Sequence, residues 1–294
     1  MPKTGDVRIG ISGWNYPRWR GVFYPQGLPH RCELAYAAKT FHSIEINGTF
    51  YSLKRPEHFA RWFEETPDDF VFALKGSRYI THMLKLRNIA VPLANFFGSG
   101  ILRLGRKLGP ILWQLPPGFR FDPARLAGFF ESLPRSTDDA ARLARRHDRR
   151  ISGRAWLRAD ASRPIRHAVE VRDESFRSEA FIALLLRHNM GLVCADTPGW
   201  PRLTDVTSDF VYCRLHGSDE LYVSGYSSRA LDGWAKRIVA WAHGGDADGT
   251  HARRIPPPEV PRDVFVYFDN DAKVHAPFDA LTLRKKVERR LKAA

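Results

Sequence analysis

The stretch Ser43-Ile44-Glu45-Ile46-Asn47-Gly48-Thr49-Phe50-Tyr51 decides how the rest of the chain is read. Its first residues form a buried strand that runs into a loop, and a strand turns alternate side chains to one face. Glu45 and Asn47 therefore share a face, with Ile44 and Ile46 on the other. A glutamate inside an apolar run is costly unless it is paired or opens onto a polar cavity. The same polar-apolar-polar form recurs at Glu170-Val171-Arg172 and at Arg214-Leu215-His216. Three strands that each end in two same-face polar groups imply one shared polar pocket.

Working outward, strands are expected at 7–14, 70–76, 109–117, 167–172, 191–196, 210–217 and 264–269, besides the one at 43–47. Between them lie helical patterns: 30–41, 56–65 (Pro56 near its start), 101–108, 122–133, 138–148, one ending near residue 188, 231–242 and a basic terminal helix at 278–291. Asp122 is placed to cap the helix that Pro123 opens. A Gly/Asp/His linker and the proline run Pro256-Pro257-Pro258 precede the last strand. Eight strands alternating with helices over 294 residues predict an α/β fold, a single TIM-like (β/α)8 barrel domain of parallel strands ringed by helices. A doubly wound open sheet is the rival, but no strand is followed by a glycine-rich phosphate fingerprint.

The balance of 46 Lys and Arg against 32 Asp and Glu, a formal charge of +14, suits phosphate or polyanion partners, or simply a solvated basic surface. No apolar run approaches the ~20 residues that span a membrane, and Met1 to Asp6 lacks a signal peptide's apolar core. The three cysteines, Cys32, Cys194 and Cys213, form neither a disulfide framework nor a zinc spacing, so a cytoplasmic location is the expectation.

In a barrel, chemistry sits at the C-terminal ends of the strands. There the sequence concentrates Glu45, Asn47, Lys75, Gln114, Glu170, Arg172, Asp196, Arg214, His216, Asp269, Asn270 and Asp271. Glu45, Glu170 and His216 are the proton-transfer candidates. Asn47, Lys75, Gln114, Arg172, Asp196, Arg214, Asn270 and Asp271 are the substrate-binding candidates. Glu45, Glu170, Asp196, His216 and Asp271 could instead ligate a divalent metal. The cations Lys75, Arg172 and Arg214 would repel such an ion and would hold a phosphate or carboxylate. An anion-binding pocket with no metal or cofactor is therefore the preferred reading. Its alternatives are a metal-dependent phosphodiesterase or nuclease-like hydrolase, and a non-catalytic nucleic-acid-binding module using the basic stretches 142–154 and 284–292. Carbohydrate hydrolysis, from aromatic loops and two carboxylates, fits the cationic rim least. The aromatic loop at 15–25 reads as a hydrophobic plug over the barrel end or as a stacking surface, the plug being favoured. His82 reads as structural.

These residues also resemble the YecE-like family, domain of unknown function seventy-two. The resemblance is carried by Gly10-Ile11-Ser12-Gly13-Trp14-x-Tyr16, Trp19-x-Gly21-x-Phe23-Tyr24-Pro25, Glu45-Ile46-Asn47-Gly48-Thr49-Phe50-Tyr51 and Thr81-His82. It continues through Gln114-Leu115-Pro116-Pro117, Glu170-Val171-Arg172, Ala195-Asp196-Thr197-Pro198, Arg214-Leu215-His216-Gly217 and Tyr267-Phe268-Asp269-Asn270-Asp271. It implies a TIM-like barrel and supplies no reaction. Gly48, where the family usually has Ser, and Asp269, where it usually has Asn, depart from the pattern.

Overall fold

Eight parallel strands close into a barrel in the order β1 to β8, with β8 hydrogen-bonded back to β1. They are β1 (Val7–Ser12), β2 (Ser43–Ile46), β3 (Val71–Lys75), β4 (Leu108–Gln114), β5 (His167–Glu170), β6 (Gly191–Asp196), β7 (Phe210–Leu215) and β8 (Asp263–Phe268). The computed structural model describes residues 4–217, 220–247, 251–252 and 257–293. Met1 to Lys3 and Pro256, of the expected N-terminal segment and proline run, lie outside the described residues.

The strands carry apolar side chains on both faces because both faces are covered. Outward-facing Ile9, Ile11, Ile44, Ile46, Phe72, Leu74, Ile111, Trp113, Val169, Val264 and Val266 pack under the helices in the larger core. The other phase, Ala73, Leu112, Ala168, Val193, Ala195, Phe210, Tyr212, Phe265 and Tyr267, fills the barrel interior. Tyr267 and Ser43 join hydroxyls at 2.6 Å inside it, and the Ser43 hydroxyl also lies 2.7 Å from the carbonyl oxygen of Val71, to which it donates.

The expected strands are all present, several ending one or two residues early, so that Arg172 and His216 stand just past their strands. Asp122 does cap the helix Pro123–Ser132, accepting from the backbone of Arg125 at 3.1 Å. Three expectations need correction. The segment after Ile46 is not a loop but a single helical turn, Gly48–Tyr51. Thr49 holds it down by donating its hydroxyl to the carbonyls of Ile46 and Lys75. The helix expected at 138–148 runs Thr137–Ala144. Beyond its end Asp148 accepts from Asn95 Nδ2 at 3.0 Å and from the backbone of Arg150 at 2.9 Å, in a turn and not a further helical turn. The helix expected at 101–108 is a run of 3-10 turns, Ile101–Lys107, kinked at Gly105, and Leu108 already opens β4. Of the aromatic loop, Trp19, Phe23 and Tyr24 are buried in the larger core under the helices, Phe23 against Tyr36 and Phe41 and Tyr24 against Tyr36, so the expected plug packs on the helix layer.

Gly10 marks the tightest strand approach near the site: a Cβ there would lie 1.9 Å from the Ser43 carbonyl oxygen. Gly10→Ala should therefore force β1 and β2 apart, costing about 2 kcal/mol or more, and thermal unfolding should begin at least ~4 °C lower. An unchanged midpoint would show that the barrel absorbs the methyl group.

Candidate functional site

Continuing each strand's inward phase by one more residue builds the floor of the barrel mouth. Ser12, Glu45, Lys75, Gln114, Glu170 and Arg214 end their strands on that phase, and Asp269 follows β8 on it. Arg214 is the centre, with no exposed surface. Its Nε donates to Glu45 Oε2 at 3.1 Å, Nη1 to Glu170 Oε2 at 2.7 Å, and Nη2 to Glu45 Oε1 at 2.9 Å and Asp269 Oδ2 at 2.7 Å. Glu45 also accepts from the hydroxyls of Ser12 and, at 2.6 Å, Tyr212. The outer oxygen of Glu170 takes both Nε and Nη2 of Arg172, whose guanidinium carbon lies over the Trp200 ring, 3.8 Å from its centre. His216 stands between two of these acids, Nδ1 3.3 Å from Asp269 Oδ2 and Nε2 3.7 Å from Glu170 Oε2. Trp200 and Tyr222 close edge-on against its ring.

A buried carboxylate survives in its charged form only when a partner outweighs desolvation. Burial pushes Glu170 up, but the Arg214 charge, with His216 and Arg172, holds it well below the usual carboxylate range. Burial likewise opposes ionisation of Asp269, yet Arg214 and His216 bring it to about 2. Asp271 has no such cation: burial, then the neighbouring Asp269, raise it to about 6 against a backbone hydrogen bond and Arg18. Lys75 is lowered to about 8 by burial and then by Arg214, while Asp269, Glu45 and Glu170 pull the other way. His82 falls to about 4, through burial and then Arg172 and Lys75; its ring bonds Thr81 and packs edge-on against Phe50.

Above this floor lies a cavity of about 540 Å³ with Trp14, Tyr16, Trp62 and Tyr222 as aromatic walls and Asn47, Lys54, Lys75, Asp269 and Asp271 as polar lining. A second cavity of about 310 Å³ shares Trp14, Lys54 and Trp62 with it and adds Arg31, His58 and Arg61. The Lys54 tail lies across residue 48, where a Cβ would come within 3.0 Å of its Cε, so Gly48 clears the space it occupies. Another groove shares Tyr51 with the mouth and includes Arg150, which brings one end of the arginine-rich stretch beside the site.

Of the residues singled out from sequence, Glu45, Asn47, Lys75, Gln114, Glu170, Arg172, Arg214, His216 and Asp271 do gather at the mouth. Asn47 donates to Ser12 Oγ at 3.2 Å, and the Gln114 Oε1 is buried without a partner among the described residues. Two do not gather there. Asp196 falls on the outward phase of β6, where it accepts from Trp234 Nε1 and Arg202, both at 3.0 Å. Asn270 ties the Ser224 carbonyl to Asp279 through its Nδ2. Arg214 is also corrected in role: Glu45, Glu170 and Asp269 occupy its guanidinium, leaving nothing to offer a substrate. The four acids and one histidine considered as metal ligands do not all converge, because Asp196 faces away. Among the described residues no three His, Cys, Asp or Glu side chains form a grouping that could hold a metal ion. Among the described residues, also, no helix is long and apolar enough to cross a membrane.

Sequence reasoning missed Ser12, Lys54, Tyr212 and Tyr222 as site residues, and used Asp269 only as a rim charge. Strand phase was the available signal for Asp269 and for Tyr212, since both lie an even number of residues from a known inward position.

Comparison with known proteins agrees with the barrel fold. Residues 8–294 match the model of a family described as protein of unknown function DUF72. The UPF0759 protein YecE of Escherichia coli K12 is 35% identical over 130 residues, 44% of each chain. The UPF0759 protein YunF of Bacillus subtilis is 24% identical over 118 residues, 38% of this chain and 41% of its own. Those alignments take in less than half the length of either relative. A crystal structure of a DUF72 family protein from Thermotoga maritima superposes with a TM-score of 0.72 at 24% identity, covering 96% of this chain and 99% of that one. One from Enterococcus faecalis gives 0.67 at 15% identity, over 96% and 95%. At those identities the likeness is one of fold.

Two outcomes are expected from the charge cluster. Arg214→Met strands three buried carboxylates and should cost about 3–5 kcal/mol, whereas Asp269→Asn leaves Arg214 two partners and should cost less, about 1.5–3 kcal/mol at pH 7. Comparable losses in the two variants by chemical denaturation would contradict this arrangement. Asp271 acts with opposite sign to Asp269. Its folded value lies above its unfolded one, so the stability it contributes is present below about pH 4 and lost as pH rises through about 6. Asp271→Asn should thus unfold at a higher temperature than the parent at pH 8 and at a similar one at pH 4.

Proposed function

From the premise that this chain belongs to the DUF72 family, we propose that its barrel mouth binds and acts on a small molecule carrying one phosphate or carboxylate group. The observation that carries this is a pair of adjacent cavities whose shared wall holds Lys54, an amine with no ion pair among the described residues. The substrate's anionic group sits in the smaller, basic cavity with Arg31, Lys54 and Arg61. Its reacting end reaches the deeper one, where Lys75 and Asp271 face it between aromatic walls. Adjacent cavities of this size suit a small metabolite.

The acid–base roles assigned from sequence shift accordingly. Every carboxylate oxygen of Glu45 and Glu170 already accepts from a protein donor, so neither is the proton donor; with His216 they hold the floor rigid and charged. Asp271, with its carboxyl raised to about 6, and Lys75, lowered to about 8, exchange protons near neutral pH.

One observation favours a second reading. Arg150, in the groove beside Tyr51, would lie under a nucleic-acid strand crossing the mouth. The two separate by a thermal-shift and titration series with phosphorylated and carboxylated metabolites, their neutral counterparts and short oligonucleotides. A small anion should raise the midpoint, and Lys54→Ala should weaken its binding about 10- to 100-fold, the worth of a charge-assisted hydrogen bond. Equal effects from neutral counterparts would sink the proposal. Oligonucleotide binding that falls steeply with salt and ignores Lys54→Ala would replace it with the second reading.

A further inference from the structure

We infer that Lys75 is a nucleophile that forms an imine with the carbonyl carbon of a small aldehyde, ketone or 2-oxo acid held in the barrel mouth. This rests on the small-anion reading of the site and adds to it the substrate's reacting group.

The placement of Lys75 sets it apart from every other cation at the floor. It ends β3 on the inward phase, lines the deeper cavity and is nine-tenths buried. Yet among the described residues its Nζ makes neither an ion pair nor a hydrogen bond; its contact is the Phe50 ring, 4.5 Å from Nζ to centroid. A lysine placed for charge balance would sit on a carboxylate. Here the neighbouring carboxylates are held by Arg214 and Arg172, so the amine is left facing the cavity. Desolvation beside a fixed cation is how proteins make a lysine nucleophilic at neutral pH. The facing charges are Arg214, which disfavours the ammonium, and Asp269, Glu45 and Glu170, which favour it; His82 stands nearby. With the amine brought to about 8, roughly a tenth of it is unprotonated at pH 7.

The step is balanced without an oxidant or reductant. The Nζ lone pair adds to the carbonyl carbon, the C=O π electrons move to oxygen, and a proton passes from nitrogen to that oxygen, giving a carbinolamine. Nitrogen then forms the second bond to carbon as the C–O bond breaks. The hydroxyl leaves as water with a proton from Asp271, which lines the same cavity. Amine, carbonyl and one proton become an iminium and water, and the positive charge forms above Asp269 and Glu45.

The test traps the iminium. The protein is incubated with pyruvate, glyoxylate or dihydroxyacetone phosphate and sodium cyanoborohydride, and with lactate, glycolate or glycerol 3-phosphate as carbonyl-free counterparts. Intact mass, peptide mapping and thermal shift are read in parallel. The expected result is one reductant-dependent adduct per chain on the Lys75 peptide, formed at least tenfold faster than on any other lysine and absent in Lys75→Met. Mapping within the parent decides the matter even if that variant does not fold. Adducts spread evenly over surface lysines overturn the inference. Stabilisation by carbonyl compounds and alcohols alike, with Lys75 unmodified, overturns it while leaving the small-anion reading standing. Neither stabilisation nor adduct overturns both.

Discussion

A guanidinium taken wholly out of water must be met by carboxylates, and Arg214 is met by Glu45, Glu170 and Asp269 from three different strands or strand ends. Each alone would be a costly buried charge. Together they close a network that spans the barrel from β2 across to β5 and β8. Because Arg is planar and has five donors in fixed directions, the network sets angles as well as distances. The remaining polar groups at the mouth take their positions from it: Tyr212 and Ser12 against Glu45, Arg172 against Glu170, and His216 between Glu170 and Asp269.

That network also divides the charges at the mouth into two kinds. Glu45, Glu170 and Asp269 pair with the fully buried Arg214 and make a rigid floor. Lys75, Lys54 and Asp271 stand outside that arrangement and line the space above it. The guanidinium occupies the middle of a carboxylate cluster of the sort that elsewhere surrounds a divalent ion. Chemistry proposed for this site accordingly falls to the groups whose protonation is not locked by Arg214. Desolvation decides their character, lowering Lys75 and raising Asp271 toward neutrality from opposite sides.

Much of the floor was legible because a strand's period of two is rigid. Once Glu45, Glu170 and Arg214 were seen as polar residues on apolar strands, their convergence followed from barrel geometry. The same rule, carried through β6 and β8, separates Ala195 and Asp269, which point inward, from Asp196 and Asn270, which do not. Treating every polar residue near a strand end as part of the mouth placed Asp196 wrongly, although its position one residue beyond Ala195 contained the answer. Lys54 and Trp62 had no such signal. They reach the cavity from a loop and from the outer helix Pro56–Glu64, and neither has a strand phase to read.

The amino-acid sequence by itself determined the closed parallel barrel and most of its polar floor, since strand count, apolar patterning and side-chain alternation are local properties repeated along the chain. Which charges are spent on one another and which remain for a ligand was decided only by the tertiary structure. Arg214, Arg172 and Lys75 are three cations at strand ends that look alike in one dimension. Their fates differ because ion pairing falls off within a few ångströms, and only the closed barrel sets those distances: two of them meet carboxylates, and the third meets the face of Phe50.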